Sequence, residues 1–140
     1  LRDIFRRKSI PDLTDFFSNN EINHADKFRS LISLDGEQGV LDQALKLFEE
    51  FPEIISAITN LERLHESFKD SNLNLMFDLG EVKAYEYHNG LVFAAYHSSF
   101  SKALAQGGRY NSLSESFGSP RDATGFSFDL KFLIQQQLNS

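Results

Sequence analysis

Along the first half of the chain, apolar positions recur at intervals of three and four, the spacing that lays one stripe along a helix. Ser9, Ile10, Pro11 and Asp12 offer a cap with proline in the first turn, and Leu13, Phe16 and Phe17 follow on one face. Asn23 is the expected cap of a second helix carrying Phe28, Leu31 and Ile32. Asp35, with Gln38 three residues on, resembles a capping box, and Leu41, Ala44, Leu45 and Phe48 recur behind it. Pro52 marks a break. Beyond it Ile54, Ile55, Ile58, Leu61, Leu64 and Phe68 form a long amphipathic stripe, which is expected to face the core rather than a partner.

After Asp70 the period changes to two. Leu73, Leu75, Phe77 and Leu79 alternate with mostly polar residues, which predicts a half-buried strand over residues 72–79. A tyrosine-rich run then meets the pair Asn89-Gly90, a strong hairpin signal between aromatic and β-branched runs. Residues 91–97 and 102–106 are expected strands, and the stretch after Gly125 is expected to return to helix through Phe128, Phe132 and Ile134. The chain therefore predicts an α+β fold, with a helical segment over residues 1–70. An antiparallel sheet with a closing helix is expected over residues 71–140, and no internal repeat is visible.

Composition narrows the function classes. The chain has 140 residues, 41% hydrophobic and 24% charged, as an ordinary globular domain does. Fourteen Lys and Arg stand against 20 Asp and Glu, a net charge of −6 that argues against a nucleic-acid footprint. The dense basic run Arg6-Arg7-Lys8 reads as a solvated helix terminus. With no cysteine there is neither a disulfide framework nor a thiolate metal site. The longest apolar run, residues 91–96, falls far short of a membrane helix, so a soluble, cytoplasmic protein is expected. A first residue Leu1 rather than methionine suggests a fragment or a processed product.

Catalytic motifs are scarce. His24, His65, His88 and His97 show no pair at helical metal spacing and no HExxH, so no metal site is expected. A Ser-His-Asp triad draws on distant positions, and no nucleophile elbow is present to anchor one. The segment Gly107-Gly108-Arg109-Tyr110 stands out. Two glycines suggest either a turn with an ordinary surface ion pair or a place where a ligand approaches the backbone. Arginine brings a planar fork that fits a carboxylate, and tyrosine brings a flat apolar face with a hydroxyl at its tip.

That segment belongs to a larger set. Tyr85 to Tyr96 (YEYHNGLVFAAY), Ala103 to Asn111 (ALAQGGRYN) and Ala123 to Leu130 (ATGFSFDL) together resemble the C-terminal part of the histidyl-tRNA synthetase core. The run of tyrosine, histidine, x, glycine, x, valine, phenylalanine, alanine, alanine, tyrosine is most similar to the non-aminoacylating branch, the regulatory subunit of ATP phosphoribosyltransferase. The resemblance implies a histidine pocket lined by Lys83, Tyr87, His88, Gly107, Gly108, Arg109 and Tyr110. Lys83 stands where the synthetase carries its catalytic arginine, keeping the charge but losing the fork. His88 stands where a second tyrosine lines the pocket, whereas the diglycine-arginine-tyrosine motif is intact. Phe132 falls where the synthetase arginine clamps ATP, and Asp129 adds repulsion toward phosphate.

These departures imply a noncatalytic regulatory subunit without cofactor or metal. It would partner the catalytic phosphoribosyltransferase subunit in the first step of histidine biosynthesis, take free histidine as effector, and self-associate in the full-length protein. No membrane or nucleic-acid partner is expected. The alternatives are a divergent synthetase-like enzyme activating an amino acid with ATP, and an α+β interaction domain sharing only the fold. The dimer-forming strand and the rest of the amino-acid site are not visible in these residues. The chain thus resembles the C-terminal half of a class II synthetase core.

Overall fold

The computed structural model describes residues 1–82, 90–110, 122–132 and 134. They fall into two compact units, Leu1–Val82 and Lys83–Ser140.

The first unit is built mainly from five helices: α1 (Arg2–Arg6), α2 (Ile10–Asn20), α3 (Ala25–Ser30), α4 (Gly39–Leu47) and α5 (Pro52–Ser67). Ser9 caps α2 as expected, its hydroxyl accepting the Asp12 N–H at 3.4 Å. Pro52 sits in the first turn of α5, where its missing donor costs nothing. The other two expected caps fall elsewhere. His24, in the left-handed region at φ 60°, precedes α3 in place of Asn23. Asp35 lies in a strand, and α4 begins after Gln38 without a side-chain cap.

Leu34, Val40, Leu41, Ala44, Phe48, Ile58 and Phe77 form the main core, with Ile54 and Leu61 packed against it, so half of the α5 stripe, Ile54, Ile58 and Leu61, faces this core. Phe68, at its far end, is exposed. A second cluster of Leu13, Phe17 and Ile32 fixes α2 against the 3-10 turn Leu31–Ser33. The expected strand over residues 72–79 is realised only as β2 (Phe77–Asp78), which pairs antiparallel with β1 (Asp35–Gly36). Its two-residue partner is too short to pair the rest, and Leu73 and Met76 stay exposed despite the alternating pattern.

The basic run near the start resolves into separate ion pairs. Arg6 meets Asp3 at 2.9 Å, Arg7 meets Asp12 at 3.1 Å, and Lys8 meets Asp78 at 2.7 Å. The hydrogen bond to Asp78 holds the Lys8 ammonium above its ordinary pKa of 10.5.

In the second unit, β3 (Val92–Ala95), β4 (Ala105–Tyr110) and β5 (Ala123–Phe128) form an antiparallel sheet in the order β3-β4-β5. The expected strand at residues 102–106 lies slightly later, and the expected hairpin at Asn89-Gly90 falls partly outside the described residues. The return to helix after Gly125 is corrected. Ala123–Phe128 is a strand, and helical geometry begins only at residue 130. Phe126 and Phe128 follow the period-two alternation of a strand, and pairing along all six residues of β4 outweighs the weak helical spacing to Phe132. Helices with separate antiparallel sheets make the α+β fold that the sequence predicts.

Candidate functional site

The diglycine is neither a turn nor a loop. Gly107 and Gly108 sit in the middle of β4, itself the central strand of the three. Gly107 lies opposite Phe93 on one side and Phe126 on the other, while Gly108 lies opposite Val92 and Gly125. Directly opposed residues share a sheet face, so two phenylalanines flank the bare position at Gly107. A Cβ added at Gly107 would collide with the Gly125 carbonyl oxygen and stand 2.7 Å from the Phe126 Cβ. The close approach that glycine permits here is that of β5. Packing alone accounts for this glycine.

Arg109 and Tyr110 complete the strand, opposite Thr124 and Ala123. The Arg109 N–H donates to the Leu91 carbonyl at 2.8 Å, which fixes its backbone from the β3 side. Its guanidinium donates to the Asp122 carboxylate just ahead of β5, and both side chains are more than half exposed. The motif is thus contiguous and rigid, with a charged fork at one end of the sheet. Lys83, Tyr87 and His88, the other expected pocket residues, lie outside the described residues.

A second constellation surrounds Phe132. The Asp129 carboxylate accepts the Phe132 N–H at 2.9 Å, capping the helical turn that begins at residue 130, and accepts from Lys102 Nζ at 3.1 Å. The first of these bonds, aided by Lys102, holds the Asp129 carboxyl below its ordinary pKa of 3.8. Lys102 Nζ also lies 4.0 Å from the centre of the Phe132 ring, a close cation–π contact. Phe100 meets Phe132 edge-on at 5.5 Å and His97 at 5.2 Å. Phe132 therefore carries a structural load, and Lys102 beside it is already committed to a carboxylate and a ring. Lys102, Phe100 and Asp122 have no local sequence signal for these contacts, because each meets a partner far along the chain, whereas His97 meets Phe100 within one turn.

Elsewhere, a surface groove of roughly 330 Å³ in the first unit is lined by Glu37, Gln38, His65, Phe68, Lys69 and Asn74 among others. It contains none of the expected pocket residues. Among the described residues no three of His, Cys, Asp and Glu group so as to hold a metal ion. No described helix is long and apolar enough to cross a membrane.

Comparison with known proteins decides the family. The sequence model described as Histidyl-tRNA synthetase matches residues 1–133. The chain belongs to the histidyl-tRNA synthetase family. Several of its relatives share one name. The ATP phosphoribosyltransferase regulatory subunit of Pseudomonas fluorescens is 39% identical over 139 residues, covering 96% of this chain and 35% of the relative. That of Nitrosomonas eutropha is 44% identical over 103 residues, covering 74% of this chain and 26% of the relative. A crystal structure from Bacillus halodurans, described as an ATP phosphoribosyltransferase regulatory subunit/histidyl-tRNA synthetase, matches with a TM-score of 0.78. It is 25% identical and covers 96% of this chain and 36% of that one. The chain spans about a third of the length of such full-length relatives. Resemblance to the regulatory branch of the histidyl-tRNA synthetase family thus extends from the quoted motifs to nearly the whole chain.

Proposed function

We propose that this chain is part of a noncatalytic regulatory subunit of ATP phosphoribosyltransferase. It assembles with the catalytic subunit in the cytoplasm, self-associates in the full-length protein, and relays feedback inhibition by histidine in the first step of histidine biosynthesis. Free histidine binds in the pocket of Lys83, Tyr87, His88, Gly107, Gly108, Arg109 and Tyr110. The observation that carries this reading is the similarity, over almost the whole chain, to proteins named as that regulatory subunit. The Phe132 constellation supports it from the chemistry. An aromatic ring stands where a phosphate-binding arginine is needed, and Lys102 is engaged by Asp129. An intact amino-acid motif beside an altered nucleotide clamp fits a sensor better than a synthetase.

Such a sensor works by linkage. Histidine inhibits only insofar as it binds the inactive state of the assembly more tightly than the active one. The test is calorimetric titration of histidine into the full-length protein, alone and with the catalytic subunit, beside amino-acid-dependent ATP–pyrophosphate exchange. Saturable histidine binding with no exchange is expected. Exchange activity would return the protein to the enzyme class, and an absence of histidine binding in the complex would remove the sensor.

A further inference from the structure

We draw no further inference here: the strongest candidate, the apolar face of the three-stranded sheet on which Phe93, Phe126 and Phe128 are exposed, points to no particular partner, since nothing in the structure shows what covers it.

Discussion

A single missing carbon separates two accounts of Gly107. As a motif residue it signals a ligand near the backbone, but its nearest neighbours are the Gly125 carbonyl and Phe126. Gly107→Ala places a methyl where β5 already stands, so the strands must part or twist. That overpacking should cost about 1–3 kcal/mol, read as a lower denaturant midpoint at unchanged m-value. The sequence could announce the glycine but not its purpose, because Phe126 lies nineteen positions on and meets it only through the register of β4 with β5. Asp122 was illegible for the same reason. Its partner is set by strand pairing, and no local spacing marks it.

At the scale of elements, legibility followed length. α2, α4 and α5 carry sustained stripes with Ser9, Pro11 and Pro52 as punctuation, and they lie where the pattern put them. Short elements went astray. Leu73 and Leu75 alternate as strand residues do, yet β1 offers only two residues to pair with. Phe128 and Phe132 are spaced as a helix requires, yet β4 draws Phe128 into a strand and the helix begins after Asp129.

The Asp129 cap gives this boundary a pH signature. Its carboxyl is depressed in the folded state, chiefly by the Phe132 N–H and then by Lys102. Its contribution is therefore fully present above the ordinary value of 3.8 and is lost as pH falls through the lowered folded value. The stability gap between wild type and Asp129→Asn should stay constant above pH 3.8 and close below it, as measured by denaturant melts at a series of pH values. A gap that persisted through the acid range would mean that the carboxylate charge is not what holds the turn.

Taken whole, the described residues distribute burial unevenly. Every buried hydrophobic side chain among them lies in the first unit, between Leu13 and Phe77. In the second unit Phe126 is 68% exposed and Phe128 51%, their rings stacked 6.2 Å apart on the sheet surface. Local stability tracks buried apolar contact, so hydrogen exchange should be slowest at Leu41, Ala44 and Phe48. Amides of β3 and β5 should exchange earlier, by mass spectrometry of the 140-residue chain. Equal protection of both units would contradict this gradient. The family assignment was legible because its motifs are long and ordered, whereas the expected pocket residues Lys83, Tyr87 and His88 lie outside the described residues.

The close pairing of β5 beside Gly107 also governs what a mutational screen could teach. Any side chain at that position is disfavoured by folding alone, with or without an effector in the medium. Invariance there carries no information about regulation. A screen for altered feedback should therefore sample Arg109, whose side chain is more than half exposed, rather than Gly107.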